Sequence, residues 1–80
     1  PVAVVAASWE ERTVQHGQKL TIVLADGSRV KLNAGSTLRY PTHFSETLRE
    51  VTLSGEAFFE VAEDPERPFV VKTNYLTTKV

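Results

Sequence analysis

Eighty residues, 41% of them apolar and 24% charged, describe one small domain. Nine Lys and Arg against ten Asp and Glu leave a net charge of −1, which excludes nucleic-acid binding driven by bulk positive charge. No apolar run approaches the ~20 residues that cross a bilayer, and the lack of cysteine removes disulfides, cysteine-based zinc sites and thiol catalysis together.

Residues 1–9 form a short apolar stretch of small side chains without the basic n-region of a signal peptide. The stretch reads either as an ordinary first strand or as the outer end of a membrane helix, and the missing methionine agrees with a start that has been removed. Residues 1–11 are therefore set apart as an N-terminal, juxtamembrane-type segment, and residues 12–80 as a β-domain. Eleven Val and nine Thr bias the chain toward sheet, because branched side chains suit a pleated surface and lose rotamers in a helix. Leu20, Ile22 and Leu24 alternate with Thr21, Val23 and Ala25, then Val30 and Leu32 alternate with Arg29 and Lys31. Between them Asp26-Gly27 offers the positive φ values of a two-residue hairpin turn, with Ser28 completing the turn chemistry. Asn33, Ala34, Gly35 and Ser36 make a second turn in which Asn33 can bond its own backbone. Residues 33–47 have loop composition, interrupted by a short strand over residues 37–40, and Ser45 suits the cap of a single helical turn over 45–50.

A second hairpin is expected next. Val51 and Leu53 alternate with Glu50, Thr52 and Ser54, and Ala57, Phe59 and Val61 resume that parity after Gly55, which permits a turn or bulge where a Cβ would clash. Phe58 points the other way, which means either a second layer over it, the favoured reading, or a place on a binding surface. Pro68 sets an extended entry to a strand at Phe69, Val70 and Val71, and Arg67 is placed to bridge to Glu56 or Glu60. Thr77 begins a final strand that runs off the end of the sequence, so the C-terminal part of the full domain is expected to be missing. No helix of three turns can be written. The fold class is all-β, with short antiparallel strands and hairpins in a small sandwich or a β-solenoid-like stack. Leu20, Ile22, Leu24, Val30, Leu32, Leu38, Val51, Leu53, Ala57, Phe59, Val61, Phe69 and Val71 share the parity of a core.

Chemistry is sparse. His16 and His43 are the two histidines, and neither belongs to a metal-ligand spacing. No G-x-S-x-G elbow accompanies the serines, and no glycine-rich phosphate loop occurs. Glu56, Glu60, Glu63, Asp64 and Glu66 cluster late, but Glu56 and Glu60 fall at strand spacing on a solvated face, unlike a glycosidase pair. The cluster also lacks the alternating oxygens and central glycine of a calcium loop. No enzyme activity, cofactor or metal is expected.

The run Leu24-Ala25-Asp26-Gly27-Ser28-Arg29-Val30-Lys31-Leu32-Asn33-Ala34-Gly35-Ser36 resembles the opening signature of the FecR family, membrane-anchored regulators of extracytoplasmic sigma factors. The run Arg49-Glu50-Val51-Thr52-Leu53-Ser54-Gly55-Glu56-Ala57-Phe58-Phe59-Glu60-Val61 is similar to its second signature, and Asp64-Pro65-Glu66-Arg67-Pro68-Phe69-Val70-Val71 to its third. Tyr40-Pro41 stands between them where the family commonly has it. Order and spacing match over about fifty of the eighty residues. The resemblance implies a periplasmic domain of a single-pass inner-membrane protein. Such a domain takes a signal from the signalling domain of an outer-membrane TonB-dependent transporter, while an absent cytoplasmic part holds the sigma factor. It also marks Asp26, Gly27, Ser28, Asn33, Gly35, Tyr40, Pro41, Gly55, Glu56, Phe59, Arg67, Pro68 and Phe69 as motif residues that read as scaffold. A carbohydrate- or peptidoglycan-binding domain is the alternative, with exposed Trp9, Tyr40 and Phe58 stacking on sugar rings; a small-molecule sensor is a third reading. The unpaired strand expected over residues 69–80 would support self-association of the chain.

Overall fold

Alternation of branched apolar and polar residues is realised as eight short strands, with no helix among the described residues. The computed structural model describes residues 8–74 and 77–79. Of the 1–9 stretch that reads as first strand or membrane helix, residues 1–7 lie outside the described residues, as does Val80, while Trp9 opens a strand. The strands are β1 (Trp9–Thr13), β2 (Leu20–Val23), β3 (Arg29–Leu32), β4 (Thr37–Pro41), β5 (Arg49–Ser54), β6 (Ala57–Glu60), β7 (Phe69–Lys72) and β8 (Thr77–Lys79). A five-stranded sheet runs β1-β4-β5-β7-β8, and a three-stranded sheet runs β2-β3-β6. Neighbours are antiparallel except β5 and β7, which pair in parallel with Val51 opposite Val71. Parallel neighbours need a crossover, and here it passes through β6 in the other sheet.

The inward faces make one core. Ile22, Leu24, Val30 and Leu32 from the smaller sheet's side meet Leu38, Tyr40, Val51, Leu53, Phe69 and Val71 from the larger. The sandwich agrees with the all-β expectation, and alternation parity places these core residues except Tyr40, to which Val14 is added. Leu20, Ala57, Phe59 and Val61 are partly buried at the rim rather than central.

Several local expectations are corrected. The β2–β3 turn is a three-residue loop: Gly27 N–H donates to Leu24 O at 3.0 Å and Leu24 N–H to Ser28 O at 2.8 Å. Only Gly27 takes a positive φ there (+87°), as a type I turn followed by a left-handed residue requires. Asp26 keeps an ordinary backbone and spends its side chain on accepting the Ser28 N–H at 2.9 Å. β5 and β6 do not form a hairpin. β5 lies between β4 and β7, and β6 pairs with β3 in the other sheet. The same apolar parity serves two sheets that face one core, so alternation alone does not distinguish a hairpin from a sheet change.

Ser45 caps no helix. Its Oγ accepts the Leu48 N–H and donates to Leu48 O, both at 3.0 Å, holding an irregular loop that feeds β5. Among the described residues no layer covers Phe58: it is 62% exposed, with the Lys31 ammonium 5.8 Å from its ring centre. The strand Phe69–Lys72 is paired on both sides, so the sheet edge passes to Thr77–Lys79.

Candidate functional site

The most buried polar chemistry gathers where the turn after β2, the start of β5 and the connection from β6 to β7 meet. Arg49 opens β5 at the parity of Val51 and Leu53, so its side chain is directed between the sheets, and the residue is only 3% exposed. Its Nη1 donates to Asp26 Oδ2 at 2.8 Å, and the two side chains are 4% and 3% exposed. The remaining donors clamp the β6–β7 connection. Nη1 reaches Ala62 O at 2.7 Å, Nε reaches Arg67 O at 2.8 Å, and Nη2 reaches Asp64 O at 3.3 Å. The guanidinium also stands 5.4 Å from the centre of the Phe69 ring, and the Arg49 N–H donates to Pro68 O at 2.9 Å.

Ser28 completes the cluster. Its Oγ donates to Asp26 Oδ2 at 2.7 Å and accepts the Ala62 N–H at 2.9 Å. Burial pushes the Asp26 carboxyl up, but hydrogen bonds from Arg49 and Ser28 outweigh it and hold Asp26 below its ordinary value. Every buried side-chain N and O among the described residues has a hydrogen-bond partner. A charge pair buried this way is expensive to leave half-made, so the cluster ties both sheets and the strap over residues 62–68 into one unit.

Asp26, Ser28, Arg67, Pro68 and Phe69 are thus brought together around Arg49, and Gly27 shapes the turn that presents them. Arg67 does not reach Glu56 or Glu60. It pairs with Asp64 at 2.7 Å, because both belong to the same tight strap, and this hydrogen bond lowers the Asp64 carboxyl.

Asn33, Gly35, Gly55 and Glu56 form a second group. The Asn33 N–H donates to Glu56 O at 3.1 Å, the Gly35 N–H to Val14 O at 2.9 Å, and Asn33 Nδ2 to Glu56 Oε2 at 3.3 Å. Ser36 Oγ accepts the Glu56 N–H at 2.8 Å. Gly55 takes φ +102°, and a Cβ there would lie 2.9 Å from Ser36 Cα. The approach of the 33–36 turn to the β5–β6 link therefore demands glycine.

Tyr40 and Pro41 stand apart from both groups, on β4 beside β1. The Tyr40 hydroxyl donates to Glu10 Oε2 at 2.9 Å; burial first, then this carboxylate, raises the phenol above its ordinary value. Phe59 packs edge-to-face on Phe69 with ring centres 5.9 Å apart.

Arg49 and Ser36 are the residues that sequence reasoning missed. The signal for Arg49 was its parity with Val51 and Leu53; for Ser36 nothing in a turn-like stretch marked burial. The sugar-stacking face is not assembled: Tyr40 is 7% exposed, and Trp9 and Phe58 belong to different sheets. No cluster of three or more His, Cys, Asp or Glu side chains suited to a metal occurs among the described residues. No helix among them is long and apolar enough to cross a membrane.

The buried clamp and the close glycine approach define a β-sandwich scaffold whose sequence-marked residues hold turns and sheets in place. Its architecture and sequence agree in the comparisons with known proteins. The family profile described as FecR protein matches residues 10–80, and the chain belongs to that family. Two crystal structures of a Parabacteroides distasonis protein assigned as an anti-sigma factor are similar to it. One is 44% identical with a TM-score of 0.88, covering 91% of this chain and 34% of that one. The other is 45% identical with a TM-score of 0.86, covering 89% and 34%. The chain thus spans about a third of the length of these relatives. No curated protein matches it.

Proposed function

We propose that the chain is the periplasmic signal-relay domain of a single-pass inner-membrane anti-sigma factor, working by protein contact and without catalysis. It passes a signal from the signalling domain of an outer-membrane TonB-dependent transporter toward an extracytoplasmic-function sigma factor held by another part of the polypeptide. The carrying observation is the family match over residues 10–80 together with 44% identity to a protein assigned as an anti-sigma factor. The structure supports the reading in a second way. Its motif residues are spent on bonds within the domain, which leaves strand edges and outer faces as the surfaces for contact.

The test places this segment in its full-length protein, with a reporter driven by the partner sigma factor. Deleting residues 12–80 is expected to uncouple the reporter from the transporter's ligand while the sigma factor remains bound in pull-down. Normal induction by the ligand after the deletion overturns the reading.

A further inference from the structure

Among the described residues four strands form sheet edges: β1 and β8 in the larger sheet, β2 and β6 in the smaller. Proteins commonly guard such edges with charge. β1 carries Glu10, Glu11 and Arg12, β6 carries Glu60, and β8 carries Lys79, whereas β2 reads Leu-Thr-Ile-Val with no charge at all. The Leu24 N–H bond to Ser28 O sets which residues face β3. By antiparallel alternation Leu20 and Ile22 exchange bonds with Leu32 and Val30, and Thr21 and Val23 turn their N–H and C=O groups outward. No strand among the described residues pairs with that side of β2.

Beside this edge the larger sheet overhangs. Glu10 lies opposite Tyr40 and Arg12 opposite Leu38, so both share the inward face, yet their side chains are 46% and 57% exposed. Beneath them is an open cleft of about 390 Å³, lined by Glu10, Arg12 and Tyr40 on one wall and by Leu20, Ile22 and Leu24 on the other. Among the described residues the smaller sheet ends at β2 on this side.

We infer that the β2 edge and its cleft receive one extended strand of a partner polypeptide, apolar and acidic at alternating inward positions. Main-chain bonds to Thr21 and Val23 supply the docking, as in other strand additions. Inward apolar side chains meet Leu20 and Ile22, and an inward carboxylate meets Arg12, whose ion pair with Glu10 is long at 3.9 Å. Glu10 is already engaged by the Tyr40 hydroxyl at 2.9 Å. Pairing β2 with β2 of a second copy antiparallel would put both larger sheets on one side of the joined sheet, where the Glu10–Tyr40 wall already stands, so the strand is assigned to a partner and not to a second copy. The docking geometry stands on the structure alone, and the partner as its source rests on the relay reading.

The probe is a capped octapeptide, Lys-Val-Thr-Glu-Thr-Val-Thr-Lys, added to the 80-residue chain at up to millimolar concentration. Saturable NMR shifts and slowed hydrogen exchange at the Thr21 and Val23 amides are expected. Val23→Pro, at an outward N–H, should abolish both without shifting the melting temperature. A peptide with Gln for Glu should bind about fivefold more weakly, and Arg12→Ala should remove that difference. Unchanged Thr21 and Val23 amides at millimolar peptide, or undiminished binding by Val23→Pro, overturns the inference. In the full-length protein Val23→Pro should also blunt ligand-induced reporter output; full output retires the β2 edge as the docking point and leaves the relay reading intact. A reporter that never responds to the transporter, with the peptide protecting both amides, retires the relay reading and leaves the docking edge intact.

Discussion

Arg49 at the head of β5 donates to Asp26 Oδ2 at 2.8 Å across the space between the two sheets, with both side chains at most 4% exposed. The same guanidinium holds carbonyls of Ala62, Asp64 and Arg67, so one side chain joins the turn after β2, the strand β5 and the strap before β7. Removing one partner of a buried pair strands the other charge, at a cost of about 3–5 kcal/mol. Arg49→Met should lower stability by that amount in urea unfolding. Asp26→Asn added to Arg49→Met should recover part of the loss, giving a coupling of about 1–3 kcal/mol in the double-mutant cycle. Additive losses would show that the two side chains act separately.

Acid should loosen the same clamp. The Asp26 carboxyl is held below its ordinary value of 3.8, so its contribution is fully present above that value. It is lost as pH falls through the lower folded-state value. Wild-type stability should therefore drop below about pH 4, and Asp26→Asn, already weaker at neutral pH, should show a shallower acid limb. Melting temperatures measured from pH 2 to pH 7 give the comparison; parallel curves would remove Asp26 from the acid transition.

Two glycines separate backbone strain from crowding. Gly27 at φ +87° has open space where a Cβ would go, whereas Gly55 at φ +102° faces the Ser36 backbone. Gly27→Ala should cost about 1 kcal/mol, the left-handed penalty alone. Gly55→Ala should cost about 3 kcal/mol because overlap with the 33–36 turn is added. Equal losses in denaturant titrations would contradict the close approach.

The three phenylalanines around β6 and β7 should rank by burial. Phe69 is fully buried and Phe58 is 62% exposed, with Phe59 between them. Phe69→Ala should cost about 3–5 kcal/mol and Phe59→Ala less, since part of its ring already meets water. Phe58→Ala should stay within about 0.5 kcal/mol. A Phe58 variant as damaged as the Phe69 variant would indicate a layer over that face.

How far the residues alone carried the fold depends on the range of each interaction. Val51, Leu53, Val30 and Leu32 declare their inward faces by alternation, because side-chain direction in a strand has period two and needs no knowledge of neighbours. Gly27 and Pro68 declare turn and extended entry because one residue's own φ range suffices, wide for glycine and fixed for proline. By itself, then, the sequence determined the strands after β1, their parity, most of the core and the ordered motifs by which the chain resembles its family. Only the tertiary structure decided that β5 and β6 part into different sheets, that Arg67 turns to Asp64, and that Arg49 is buried against Asp26, twenty-three residues away in the chain. These choices compare pairings of similar local propensity, and the comparison is settled by which arrangement closes one apolar core while giving the buried side-chain N and O atoms of the described residues their partners.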